Sequence, residues 1–337
     1  MDQVAIKEKT HLTRQDLVAL VRKWGDVNTD GLLEVGCKLF TTPAIDGVIG
    51  YKVEASNAVV CGEPVCAKED KPALAKAFDT YCKENKLKTV YTIVTEDFAR
   101  WAADNLSAIA IEFGKKFTLD PFSNPTKNKG SKAVLIRKKV KHALKAGVVI
   151  KEYLGDSKDT EQQIESILNQ WLKKREGPQI YLCGVSIFND RYGKRWFYAE
   201  KDGKILGFLI LSRLEEQEGW LLNSVMTASD GINGLSELLV ISILEALEKE
   251  NCHRVVIGPI PSRDLGDIMG IGSLGSRLVR FMFKGARLLF DLDGHVNYWS
   301  KFQPEYQRSY LLFPGKNLSF SSIKALMQAL NVRKGVS

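Results

Sequence analysis

Apolar residues recur along the chain at two periods, and the switching between those periods predicts the elements. Helical spacing marks amphipathic helices over Arg14–Trp24, Lys71–Lys86 and Glu96–Asp104. Between them, short β-branched runs predict extended segments over Lys38–Thr42, Gly47–Glu54, Ala58–Cys61, Thr89–Val94 and Ala108–Phe113. The second half follows a similar order. A strand over Val148–Leu154 leads to a helix from Asp159, a good N-cap, to Arg175, with Ile164, Ile167, Leu168, Trp171 and Leu172 on one face. Strands over Arg195–Lys201 and Lys204–Ser212 flank an Asp202-Gly203 hairpin turn. A strand over Gly219–Met226, a glycine-bearing loop, a helix over Leu235–Lys249 and a strand over Arg254–Gly258 follow. The expected fold class is therefore α/β (α+β), two tandem units without a visible sequence repeat. Residues 1–128 form the first, 129–147 a connecting helix and 148–337 the second.

That connecting helix changes the electrostatic picture. The chain carries 48 Lys and Arg against 40 Asp and Glu, a net +8. Between Asp120 and Glu152 there is no acid, while Lys127, Lys129, Lys132, Arg137, Lys138, Lys139, Lys141, Lys145 and Lys151 are all present. Gly130 and Ser131 offer a helix start and Gly147 a stop, with Ala133, Ile136, Val140, Ala143 and Leu144 forming a packing stripe. The remaining cationic face is either a solvated surface or a phosphate-contacting one, with Arg137, Lys138 and Lys141 as its candidate contacts.

Composition excludes whole classes. At 337 residues, 45% hydrophobic and 26% charged, the chain is neither disordered nor fibrous. No run of apolar residues is long enough to span a bilayer, and the start lacks the apolar region of a secretory signal, so a cytoplasmic address is expected. Six cysteines without a CxxC pair read as reduced thiols, and four histidines without ligand spacing predict no metal. Cys252 and His253 are adjacent at a strand start, where side chains point to opposite faces, so they form no nucleophile pair. The Gly270–Ser276 run, GIGSLGS, follows no clear strand and reads as a flexible loop.

Chemistry concentrates where the strand at Gly219 meets the helix at Leu235. The backbone around Asn233, Gly234 and Ser236 sits at a helix N-terminus, which attracts an anion or a polarised carbonyl oxygen. Acyltransferases of the GNAT superfamily place their acyl donor in this layout. Their Q/R-x-x-G-x-G/A pyrophosphate signature is not matched, and Asp230 stands where a phosphate would sit.

Several motifs together resemble the C-terminal catalytic domain of phosphatidylglycerol lysyltransferases. They are Gly219-Trp220, Asn233-Gly234 followed by Glu237, Gly258-Pro259-Ile260-Pro261 and the tail KFQPEYQRSYLLFP. Gly62-Glu63-Pro64-Val65 and Lys145-Ala146-Gly147 are also similar. The resemblance implies two GNAT-like acyltransferase domains joined by a cationic helix. It implies an enzyme that moves an amino acid from aminoacyl-tRNA to the hydroxyl of a membrane lipid, phosphatidylglycerol-like or a sterol. Aminoacyl-tRNA would be the co-substrate, with no other cofactor and no DNA partner, and the protein would sit peripherally at the inner face of the membrane. On this reading Glu237 binds the amino acid's ammonium or acts as base, unless it only complements the helix dipole. Lys301 and Arg308 would hold a phosphate, and Tyr310 would donate to the oxyanion. A polar loop at Asp190, Arg191 and Tyr192 would gate the site. The lysyltransferases read Asp-x-x-Arg where this chain has Ser224, Val225, Met226 and Thr227, which leaves open a different amino acid, a different acceptor or loss of catalysis. Two other readings remain: an acyl-CoA-dependent N-acyltransferase, and a non-catalytic tRNA- or lipid-binding relative.

Overall fold

The computed structural model describes residues 12–34, 36–155, 157–173, 187–229, 231–289 and 293–329. Arg175, Cys183 and Asp230 lie outside them. Helix α1 (Arg14–Trp24) starts at Thr13, which forms a capping box with Asp16. An antiparallel meander β1 (Lys38–Thr42), β2 (Ile45–Glu54) and β3 (Asn57–Cys61) follows, with the short β4 (Val65–Cys66) on β2. Helix α2 (Lys71–Glu84) crosses to β5 (Lys88–Val94), which runs parallel to β3. Helix α3 (Glu96–Asn105), capped by Thr95, leads to β6 (Ala108–Leu119).

The basic segment forms α4 (Ser131–Lys145). Then come β7 (Val149–Tyr153), α5 (Lys158–Lys173), β8 (Lys194–Lys201), β9 (Lys204–Leu214) and β10 (Gly219–Thr227). Asp202 and Gly203 both take positive φ, as a type I′ hairpin requires. Helix α6 (Leu235–Lys249) crosses to β11 (Val255–Pro261), parallel to β10. The chain continues through β12 (Ile268–Met269), α7 (Ser273–Leu289), α8 (Asp293–Ser300), β13 (Glu305–Pro314) and α9 (Phe320–Ala329). The glycine-containing run at Gly270–Ser276 is thus not simply a loop: it enters α7 at Ser273.

Among the described residues one mixed sheet runs β1-β2-β3-β5-β13-β6-β11-β10-β9-β8-β7, with β12 on β6. Its parallel pairs are β3/β5 and β10/β11, each bridged by a helix, so the strand–helix–strand unit occurs twice. The late strand β13 sits between β5 and β6, two strands of the first half, and β6 also pairs with β11. A boundary at residue 148 therefore does not divide the sheet. Side-chain alternation gives the sheet two buried faces. In the first half α2 and α3 cover one face, while α7 and α9 cover the other. In the second, α4 and α6 pack opposite α5. Leu144, expected in the packing stripe of α4, is exposed, while Ala133, Ile136 and Ala143 are buried as the periodicity requires.

Candidate functional site

Strands β10 and β11 stay together only from Trp220–Leu222 against Val255–Ile257. Beyond that, β10 shifts register against β9 between Leu222 and Ser224, and β11 shifts against β6 between Ile257 and Pro259. The strands part, and a cleft of about 620 Å³ opens between them. Its wall is largely apolar, with Trp171 from α5, Leu222 and Val225 from β10, Ile257 from β11 and Tyr298 and Trp299 from α8. A second, polar cavity of about 330 Å³ shares Thr227, Ser236 and Tyr298 with this cleft and is lined further by Lys139, Glu237 and Lys301.

Glu237 lies in the first turn of α6 and is only 2% exposed. One of its carboxylate oxygens accepts from Lys301 Nζ and, at 2.9 Å, from Lys139 Nζ. The other accepts from Ser236 Oγ at 3.0 Å. Burial pushes this carboxyl up, but the hydrogen bonds from Lys301 and Lys139 outweigh it and hold the group at about 2. Lys301 is 8% exposed, and its own pKa is lowered by burial, with Lys139 adding repulsion against the pull of Glu237. Its ammonium rests 3.7 Å from the centre of the Tyr298 ring. Burial also raises the Tyr298 phenol, whose oxygen faces Ser236 without a well-formed hydrogen bond. Among the described residues of this pocket, two lysines surround one buried carboxylate, an excess of one positive charge.

Helix α4 forms one wall of this pocket. The carbonyl of Asn233 lies 3.0 Å from His142 Nδ1, which makes that nitrogen the donor. Gly234 has φ +91°, and a Cβ there would lie 2.1 Å from the Lys139 carbonyl oxygen, so only glycine lets α4 close against the loop. Near the start of α4, Lys132 Nζ donates to the carbonyl of Ser300 at the end of α8. One helix thereby positions the loop before α6, Glu237 itself and the end of α8.

The structure brings together Glu237, Lys301, Asn233, Gly234 and Ser236 from the set expected on sequence. It does not bring Tyr310 or Arg308 there. Tyr310 is buried in the first-half core with Tyr91 and Phe98, because β13 pairs with β5 and β6. Arg308 donates to Asp267 at 2.8 Å and lies near Glu112 and Glu96. Lys138 and Lys141 are exposed on α4, whereas Arg137 donates to the carbonyls of Thr126 and Asn128, closing the turn before the helix. Asp190 pairs with Arg14, Arg191 with Glu161 and Tyr192 with Glu215, so that loop is tied by partners of its own. Lys139 and Tyr298 are the residues that sequence reading missed. The available signal for Lys139 was its place beside the Ile136, Val140 and Ala143 stripe, where a long side chain turns toward the packed side.

A cavity of about 950 Å³, larger than either of these, lies elsewhere, beside Trp24, Glu63, Thr95 and Arg308. Charges on its wall are engaged with one another: Asp26 with Lys116, and Glu63 with Lys71. Among the described residues no group of His, Cys, Asp and Glu is arranged to hold a metal, and Cys37, Cys61, Cys66, Cys82 and Cys252 are free thiols. Nor is any helix among them long and apolar enough to cross a membrane.

Residues 32–313 match the family described as phosphatidylglycerol lysyltransferase, C-terminal. The fold is similar to the C-terminal domain of a putative lysylphosphatidylglycerol synthetase from Agrobacterium fabrum, with a TM-score of 0.76 at 16% identity, covering 96% of this chain and 99% of that one. It is similar also to the L-PGS of Bacillus licheniformis, with a TM-score of 0.74 at 14% identity over 95% and 97%. FemX superposes with a TM-score of 0.57 at 11% identity over 95% and 99%. No curated protein sequence matches the chain.

Proposed function

The chain belongs to the phosphatidylglycerol lysyltransferase C-terminal family, a family of transferases, and from that premise we propose that it moves an amino acid from aminoacyl-tRNA to the hydroxyl of a membrane lipid. The observation that carries this reading is the meeting of an apolar cleft and a cationic pocket at Thr227, Ser236 and Tyr298. An apolar cleft suits part of a lipid, and a pocket with excess positive charge suits an anionic headgroup or a developing oxyanion. The lipid hydroxyl attacks the ester carbonyl of the donor. The new ester bond forms, the bond to the terminal ribose oxygen of the tRNA breaks, and that oxygen takes up the proton.

Glu237 is a poor base for this step. A carboxyl held at about 2 and already accepting from Lys301, Lys139 and Ser236 has little affinity for a further proton. Its role is to position Lys301. Tyr298, whose phenol lacks a partner at the junction of the cavities, takes the oxyanion-donor role assigned on sequence to Tyr310. Lys138 and Lys141, exposed on α4, contact the tRNA backbone. Ser224 and Thr227, where the lysyltransferases resembled here read Asp and Arg, line the cleft without charge and favour an amino acid with an uncharged side chain. Acyl-CoA is disfavoured as donor, because α4 packs onto Asn233 and Gly234, where a pyrophosphate would need the backbone.

The test supplies labelled aminoacyl-tRNAs singly, with membranes as acceptor and with and without RNase, and counts label in the chloroform-soluble fraction. RNase-sensitive lipid labelling is expected from one or a few uncharged amino acids. Well-folded protein that labels no lipid overturns the reading, and salt-sensitive tRNA binding without turnover points to a non-catalytic relative.

A further inference from the structure

Helix α7 carries apolar residues on two opposite faces. Val279 is buried against the sheet with Ile109, Leu265 and Phe313, and Phe283 packs beside it. Helical spacing puts Leu274, Leu278 and Phe281 on the far side, 79%, 60% and 76% exposed. A stripe of large apolar side chains facing water marks an interaction surface. Cations flank it. Arg277 and Lys284 are exposed, and no acid occurs from Ser273 to Leu289. Arg280 holds the helix down by donating to the carbonyls of Leu265 and Gly266.

We propose that α7 docks the protein on an anionic lipid surface, lying in the interfacial plane with Leu274, Leu278 and Phe281 among the acyl chains and Arg277 and Lys284 on the lipid phosphates. Charge complementarity selects this occupant, since an apolar stripe with an acid-free basic flank matches an anionic membrane better than a protein surface of mixed charge. Helix α4 is the internal contrast: its exposed Val134, Leu135 and Leu144 are interleaved with Arg137, Lys138, Lys141 and Lys145, so cations outnumber apolar groups on its open face. The docking element is also close in the chain to the chemistry, because α8, which begins at Asp293 just after α7, supplies Tyr298 and Trp299 to the cleft. The biological sense of this surface rests on the lipid-acceptor reading, but its test reads binding rather than transfer.

The whole chain is sedimented with phosphatidylcholine vesicles made with and without phosphatidylglycerol. Binding to the anionic vesicles is expected, with at least a tenfold loss for the double variant L278E/F281E. R277E/K284E should lose about fivefold per charge removed on anionic vesicles and little on neutral ones. Circular dichroism monitors folding, and detergent-dispersed lipid, which needs no docking, monitors transfer. Variants that bind anionic vesicles as the parent does overturn the proposal. So does a parent protein that sediments as a dimer through Phe281, which would make the stripe a contact between copies. Vesicle binding without any transfer overturns the proposed function and leaves the docking surface standing.

Discussion

The two parallel strand pairs of this sheet follow one plan and end differently. In the first half, β3 and β5 stay in register from Asn57 against Lys88 to Cys61 against Thr92. Their ends are then tied: Thr92 Oγ1 donates to the Val60 carbonyl at 2.7 Å, and Asn28 donates to the carbonyl of Thr92. Glu63 accepts from the Thr95 backbone, the Thr95 hydroxyl and Lys71. In the second half the pair releases after Leu222 and Ile257, and the space between becomes the cleft that meets the cavity of Glu237 at Thr227, Ser236 and Tyr298. A glutamate near the strand ends serves both halves, in the first as a knot and in the second as the anchor of a buried lysine. The difference teaches that a repeated strand–helix–strand unit acquires a site by letting its strands part.

The largest effect is expected at Glu237. Glu237→Gln leaves Lys301 buried without its carboxylate, which costs about 3–5 kcal/mol in denaturant unfolding, with transfer lost as well. The same group gives a pH signature. Its folded value of about 2 lies below its ordinary 4.5, so the stability it confers is complete above the ordinary value and drains away as pH falls toward about 2. Denaturation curves across that window should be flatter for Glu237→Gln than for the parent. Tyr298→Phe comes next: it removes a phenol oxygen with no hydrogen bond, so stability should hold while transfer falls about 10²–10³-fold. Unchanged turnover would remove Tyr298 from the oxyanion role.

Glu63→Ala probes the closed half. It should cost about 1–3 kcal/mol by stranding Thr95 and Lys71, yet leave transfer per folded molecule unchanged. A transfer defect in that variant would break the distinction between knot and site. The smallest effect is at the α4 surface. K138E/K141E should weaken tRNA binding and lower its salt slope by about one for each phosphate no longer neutralised, without moving the melting temperature. Arg137→Ala should instead act on stability, since that guanidinium is engaged with the carbonyls of Thr126 and Asn128.

Much of the fold was legible because its signals are local. The hydrophobic period located α1, α4 and α6, and Asp202-Gly203 located the hairpin. Glu237 was legible as a lone acid in the first turn of an apolar helix, but its partners were not, because Lys139 and Lys301 reach it from distant segments. Tyr310 was misplaced for a related reason. Nothing in KFQPEYQRSY tells that its strand crosses to the first half, where β13 slips one residue on β6 between Ser309 and Tyr310. Helix α7 was hidden by the glycines at its start, whose propensity argues for a loop while the residues after them are helical.

The insertion of β13 between β5 and β6 has a consequence for synthesis on the ribosome. Both of its neighbours emerge before β7–β12 are made, and the strand that joins them emerges only after β12. Until then β5 and β6 present unsatisfied edges, and a nascent chain cannot complete its first half in vectorial order. All of β7–β12 must therefore be made before β13 can close the sheet, so the closed half and the open half mature as one.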